Sequence, residues 1–317
     1  MKKAVFRTIV ACAGVLIFGL PTFGWDEVGH KITGYIAWQR MTPEVRQRVI
    51  KILLAGPEDS DIPAYFISYG SQDRATRERE YFAFLTTWGD VVRDRNVEAR
   101  YRKHNRSNWH YSDSFWTVKD GRITSLPSPE DGGQALVKLI EFDAMIRGNA
   151  ADAQKAVAIA WLEHLIGDVH QPLHTSARVT ASEPKGDQGG NLFLLTPQGT
   201  PRDRQQNLHS FWDGIIVRSS SNAANACDDE YLSPIVRKLM KRYPYEKLSG
   251  RILAGKYDVW VQESLALAQT EIFSTDLVRF EKPSAKYQKK ALKIAEERLA
   301  LAGYRIGDLF NQVFAAK

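Results

Sequence analysis

One segment constrains this chain more than any other. Residues 151–170 are rich in Ala and Leu, read as a single helix, and end where Pro172 cannot continue it. The segment closes on His164-Leu-Ile-Gly-Asp168-Val-His170, and Gln-Pro-Leu-His174 follows. Positions i and i+4 share a helix face, so His164 and Asp168 can hold one metal ion or two adjacent ones. His170 points away from that face and is read as a residue that packs or hydrogen-bonds within the fold. His174 lies beyond Pro172, where the chain can turn it back toward the same cluster. Imidazole and carboxylate without thiolate suit a catalytic Zn²⁺ site rather than a structural one. A satisfied helix with incidental histidines is the bland alternative, and it fits a lone His better than this run.

The rest of the chain also reads as mainly helical. Thr42-Pro43-Glu44 opens a helix, Thr as N-cap and Pro in the first turn, which runs through Ile50 to Leu54 and stops at Gly56-Pro57. Ser128-Pro129-Glu130 repeats the signal before a helix over 135–146. A further helix covers 257–273. Ser284 caps one or two more, with Ala291, Ile294, Leu299 and Leu301 as apolar positions. Strand signals are sparse; 122–126 and 192–195 are the candidates. The expected fold class is all-α: one mainly helical domain with a few short strands in loops.

Composition supports a globular chain. Of 317 residues, 44% are hydrophobic and 25% charged, an ordinary balance that excludes a disordered, collagen-like or multispan membrane protein. Residues 1–24 read as a secretory signal. Lys2, Lys3 and Arg7 form a positive start, an apolar run of about a dozen residues is shorter than the roughly 20 needed to span a bilayer, and Thr22 and Gly24 supply a small-residue cleavage site. The remaining domain is 25–317. Removing three basic residues from 43 leaves 40 against 37 acidic, so net charge alone makes no case for nucleic-acid binding. Cys12 leaves with the signal, and Cys227, now alone, is expected to be buried or inert. Export to a bacterial periplasm or to the medium is the expectation.

Other histidines sit in suggestive company. His209-Ser-Phe-Trp-Asp213 repeats the His-xxx-Asp spacing, although alone it equally describes surface or core polar residues. Trp109-His110-Tyr111-Ser112-Asp113 and Trp88-Gly89-Asp90-Val-Val-Arg93 place acids beside His or Arg; either could be a salt-bridged loop. His30 lies five residues after Trp25, the residue that cleavage would make the new terminus. A free α-amine has a pKa near 8, can lose its proton to a metal, and can chelate together with its own carbonyl oxygen. His104 lies in a basic stretch, 100–106, read as a solvated face. The 286–298 run reads as the outer face of an amphipathic helix, and the scattered Trp as core.

Taken together, WDEVGH, WGDVVR, WHYSD, HLIGDVHQPLHT, GDQGGN and NLHSFWD run from Trp25 to Asp213. The set resembles the zinc-dependent S1/P1 nuclease family, which is related to the bacterial zinc phospholipases C. The resemblance implies a helical fold of the zinc phospholipase C/P1 nuclease type around three zinc ions. Asp90, His110, His164 and Asp168 would hold the first; His174, His209 and Asp213 the second; the Trp25 amine and carbonyl, His30 and Asp168 the third. Asp168 would thus bridge two metals. Asp90, Arg93 and Asp168 would be the catalytic residues, Arg93 lying close to the scissile phosphate. Tyr111 and Asp113 match the family's base-binding aromatic and acid, and Asn191 is a candidate for the substrate rim. Two features depart from the family: the disulfides of the fungal and plant enzymes are absent, and the base-site aromatic, often Phe, is Tyr111.

The implied activity is hydrolysis of single-stranded DNA and RNA to 5′-phosphorylated products, with 3′-nucleotides as a further candidate substrate. The enzyme is expected to act as a monomer with no stable membrane association. A zinc phospholipase C is the alternative on a similar metal core. Those enzymes, as the resemblance goes, have a longer gap between the terminal Trp and its His, and Glu in place of Asp213. A non-catalytic exported zinc-binding protein is the third reading.

Overall fold

The computed structural model describes residues 25–67, 73–129, 132–224 and 226–315. The expected signal over 1–24 lies outside the described residues. The chain begins with α1 (Glu27–Arg40), α2 (Pro43–Leu53), α3 (Arg74–Leu85), α4 (Trp88–Val91) and α5 (Glu98–His104). A hairpin of β1 (Ser114–Lys119) and β2 (Arg122–Ser125) follows, then α6 (Ala135–Arg147), α7 (Asp152–His170) and β3 (Ser176–Arg178). The remainder is helical: α8 (Leu208–Asp213), α9 (Ile215–Ser219), α10 (Asp228–Arg242), α11 (Tyr245–Ile252), α12 (Tyr257–Leu267) and α13 (Ala285–Phe314). The mainly helical class is as expected, and no helix among the described residues is long and apolar enough to cross a membrane.

Local signals explain several helix starts. Asp26 caps α1, its Oδ1 accepting from the Gly29 N–H at 2.9 Å. Thr42 caps α2 with Pro43 in the first turn, and Ser284 caps α13. Helix α13 continues unbroken to Phe314, so its stretch is one helix rather than two. The expected helix over 257–273 is α12 extended by a π turn, Ala268–Ile272.

Helix α7 organises the molecule. From Ala158 to His170 every residue is buried, because α2, α4, α6, α12 and α13 all pack around it. A helix covered on all sides has no outer face for charge, so each polar group on α7 needs a partner inside the protein. Helix α1 lies against α13 and α3. One apolar cluster gathers Trp88, Trp161 and Phe310; a second gathers Trp25, Trp212 and Tyr304.

Helix α6 starts at Ala135 as expected, with Gln134 rather than Ser128 as its N-cap residue. Several expectations need correction. Residues 192–195 form no strand; Leu194 makes only an isolated bridge to Asn207. The sheet instead has the order β2-β1-β3. Strands β1 and β2 join through Asp120 and Gly121, both at positive φ, the two-residue turn that suits hairpin twist. Strand β3, three residues long, pairs parallel to β1. His104 is buried rather than solvated: its ring packs edge-on to Trp88, centroids 5.2 Å apart, and meets Asp59 at 3.2 Å. Arg100 beside it is buried too, donating to Asp61 and to the Val91 carbonyl. On α13, Arg298 belongs to the interior and donates to Glu263 at 2.7 Å. Cys227 is exposed, at the N-cap of α10.

Candidate metal centre

Five segments converge on the C-terminal half of α7. Helix α7 supplies His164 and Asp168 from one face, Nε2 to Oδ2 being 3.2 Å. Helix α1 brings His30, its Nε2 3.3 Å from Asp168 Oδ1. Short helix α4 brings Asp90, and the 3₁₀ turn Ser107–Trp109 delivers His110, whose Nδ1 lies 3.8 Å from Asp90 and 3.2 Å from Asp168. The turn Pro172–Thr175 folds His174 back as the sequence suggests, and α8 presents His209 and Asp213. Three groups have ligand atoms close enough to share an ion: His30, His164 and Asp168; Asp90, His110 and His164; His174, His209 and Asp213.

Close approach depends on glycine. A Cβ on Gly89 would sit 2.3 Å from His164 Cδ2, and one on Gly167 would sit 2.7 Å from His30 Nδ1. The His30 and His164 rings consequently stack, centroids 4.3 Å apart.

Backbone carbonyls set the ring orientations. His164 Nδ1–H donates to the Thr86 carbonyl at 2.8 Å, His174 Nδ1–H to that of His110 at 2.6 Å, and His209 Nδ1–H to that of Gly189 at 2.7 Å. An imidazole that donates from Nδ1 presents a lone pair at Nε2. The Nε2 atoms of His174 and His209 face each other at 3.0 Å. Two such lone pairs repel when neutral, and a shared cation turns that repulsion into coordination. His164 Nε2 meets His110 Nδ1 at 3.0 Å in the same way. Gln171 completes the order: its Nε2 donates to Asp213 Oδ1 at 2.8 Å and its Oε1 accepts from the Leu173 N–H at 2.7 Å.

The electrostatics also call for a cation. Burial pushes the Asp213 carboxyl well above the carboxylate range; Gln171 opposes this, while Asp26, Asp168 and Asp90 repel it further. Burial would raise Asp168 too, but His164 and His174 beside it hold it well below its ordinary value. Burial acts to lower His164, yet Asp168 and Asp90 together lift it to about 9. Buried carboxylates turned toward imidazole nitrogens are the usual solution to holding a divalent ion of borderline softness.

A cavity of about 870 Å³ opens beside the second group and is lined by Tyr111, Asp113, Phe115, His174, Asn191 and His209 among others. Tyr111 and Asp113 thus share a space with two of the candidate ligands, and Asn191 sits at its rim, donating to the Gln188 carbonyl at 2.7 Å. Asp113 is half-buried, and its Oδ1 has no hydrogen-bond partner. Burial, and then Asp187, push its carboxyl well above the usual range. Arg93 Nη1 lies 3.2 Å from Asp90 Oδ1.

Trp25 is fully buried in the second apolar cluster. The peptide after it is tied to the centre, Asp26 N–H donating to the Asp213 carbonyl at 3.1 Å. Gln171, Gly89 and Gly167 are supporting residues that spacing alone does not single out, although all three lie inside motifs that carry ligands. Glu163 was likewise not visible as special: it is buried on α7, and neither carboxyl oxygen has a hydrogen-bond partner.

Residues 25–315 match the family described as S1/P1 Nuclease. Endonuclease 2 of Arabidopsis thaliana is 22% identical, the alignment covering 94% of this chain and 94% of that protein. Nuclease S1 of Aspergillus oryzae is 21% identical over 95% of each chain. Nuclease P1 of Penicillium citrinum is 20% identical over 92% of this chain and 99% of its own.

Proposed function

This chain belongs to the S1/P1 nuclease family, and from that premise we propose that it is a zinc-dependent nuclease of single-stranded DNA and RNA that yields 5′-phosphorylated products, with 3′-nucleotides as further substrates. One observation carries the reading. A single cavity joins His174 and His209 to the Asp113 carboxyl and the Tyr111 ring. A carboxyl hydrogen-bonds the edge of a base, and an aromatic face stacks on any base.

Asp90, His110, His164 and Asp168 would hold one zinc, His174, His209 and Asp213 a second, and His30 with Asp168 and the Trp25 amine and carbonyl a third. Zinc held there supplies a water of lowered pKa and neutralises charge on the phosphate oxygens. In the reaction a water oxygen bonds to phosphorus and the P–O3′ bond breaks. One water proton ends on O3′ and the other on the product phosphate or in solvent. Arg93, beside Asp90, is placed to stabilise charge growing on the phosphate. Asp168 fixes the relative position of the ligand groups through its contacts with His30, His110 and His164.

The amine role of Trp25 requires cleavage after Gly24, and the family match beginning at Trp25 supports that boundary. We therefore read residues 1–24 as an export signal and the processed protein as a monomer in the periplasm or medium.

The test is hydrolysis of single-stranded DNA, RNA and phosphatidylcholine by protein beginning at Trp25, each with chelator and with zinc added back. Zinc-restored cutting of the nucleic acids, lost in His174→Ala and Asp213→Ala, is the expected result. Zinc-restored cutting of the lipid alone would replace this reading with a phospholipase C.

A further inference from the structure

A second cavity, of about 550 Å³, opens onto the metal-ligand cluster at Asp90 and Asp213. None of its lining residues lines the first cavity. Asp90 and Asp213 form its inner wall, Phe84 and Val91 an apolar flank, and Asp26 and Glu27 its rim. Two of the three ligand groups are therefore reached from this side through their carboxylates, while His174 and His209 are reached from the first cavity. Its volume lies within the roughly 300–1,000 Å³ of small-molecule sites.

Phe84 gives this cavity a fixed aromatic wall. Its half-buried ring packs on Tyr65, centroids 4.7 Å apart, and the Lys31 ammonium lies 5.8 Å from its centroid. The charged side chains lining the space are carboxylic: Asp26, Glu27, Asp90 and Asp213. Arg218 is close by but committed, lying over Phe211 at 4.7 Å and close enough to Asp26 for charge attraction. With Asp90 and Asp213 engaged by zinc, Asp26 and Glu27 remain to accept from the amino and hydroxyl groups of an uncharged heterocycle and sugar.

A phosphodiester leaves phosphorus through two different ester oxygens, so its two nucleosides diverge. With phosphorus at the ligand cluster and one base in the Tyr111–Asp113 cavity, the second nucleoside needs a separate space that opens on the same carboxylates. We infer that the Phe84 cavity is a second nucleoside subsite, holding the nucleoside on the 5′-oxygen side of the scissile phosphate with its base against Phe84. This rests on the nuclease reading and extends it: the enzyme recognises both sides of the bond it cuts.

The test compares two diesters that share the first nucleoside and the reacting P–O3′ bond. One is a dinucleoside monophosphate; the other is a nucleoside 3′-methyl phosphate, which has no second nucleoside. The readout is the ratio of their kcat/KM values in the zinc-loaded protein, for wild type, Phe84→Leu and Phe84→Trp. Leu keeps apolar volume against Tyr65 but removes the π face. Wild type should favour the dinucleotide, and Phe84→Leu should lower the ratio roughly 5- to 100-fold, the range that base–aromatic stacking carries. Phe84→Trp should restore it. A ratio that stays constant across the three proteins, or a wild type with no preference for the dinucleotide, overturns the subsite and leaves the nuclease reading intact. Failure of wild type to cut either diester overturns the nuclease reading, and the subsite falls with it.

Discussion

Replacing Gly89 by Ala tests whether the ring positions at the centre are set by packing. The new methyl would lie 2.3 Å from His164 Cδ2 and 2.7 Å from Nε2, whereas ordinary contact begins at 3.4 Å. The shortfall is 1.1 Å, the difference of those two figures. The ring cannot simply retreat, because its Nδ1–H is held by the Thr86 carbonyl at 2.8 Å and α7 is buried on every side. Metal–ligand distances tolerate about 0.2 Å, so a displacement near 1 Å removes His164 from two of the three candidate groups. A misplacement of that size costs about 100-fold in rate, while the overpacking itself costs about 1–3 kcal/mol of stability. The assay is zinc content per protein, kcat/KM on single-stranded DNA and thermal unfolding, measured beside Gly250→Ala, a helical position where an added Cβ meets nothing within 4 Å. Gly89→Ala should fold, lose zinc and lose about two orders of magnitude in kcat/KM; Gly250→Ala should match wild type. Wild-type zinc content and activity in Gly89→Ala would refute the packing argument.

Three further outcomes are expected. A single residue added before Trp25 converts its amine to an amide, a poor ligand, so the extended protein should bind less zinc and cut more slowly; full zinc content and activity would exclude the amine. Asp113→Asn keeps a hydrogen-bonding side chain of the same size, so it should hold KM for single-stranded substrate near wild type, whereas Asp113→Ala should raise it; equal damage from both would show that an amide cannot replace the carboxyl in holding a base. Burial raises the Glu163 pKa well above its ordinary 4.5, so the folded state keeps a proton that the unfolded chain releases. Its contribution therefore falls as pH rises from about 4.5 through the folded pKa, by up to about 1.4 kcal/mol per pH unit. Glu163→Gln should remove this slope, and melting curves of variant and wild type that stay parallel between pH 5 and about 8 would contradict it.

What could be read from the sequence follows the range of the interactions. His164 and Asp168 were legible because helical spacing fixes their relation without any tertiary contact, and Pro172 marked the turn that brings His174 round. The α2 and α13 starts were legible because Thr42 and Ser284 cap locally. Helix α6 was legible in its bounds but not in its cap, because Gln134 at its start makes no side-chain cap hydrogen bond and the Ser-Pro-Glu signal lies a few residues upstream. Strand β3 is three residues long and exists through its pairing with β1, across more than fifty positions of chain, which leaves no local trace. The charged residues misled most. Arg298 looks like one more exposed cation in a basic run, and its partners on other helices, Glu263, Ser264 and the Trp260 and His170 carbonyls, make it interior. His104 likewise depends on Asp59 and Trp88. The same logic separates ligands from their supports at the centre. The candidate side-chain ligands are all His or Asp, so their type announces them. Gly89, Gly167 and Gln171 matter because of what lies opposite them: a His164 ring, a His30 ring and the Asp213 carboxylate. A supporting residue is defined by a distance, and distances between segments become readable only when the helices are packed.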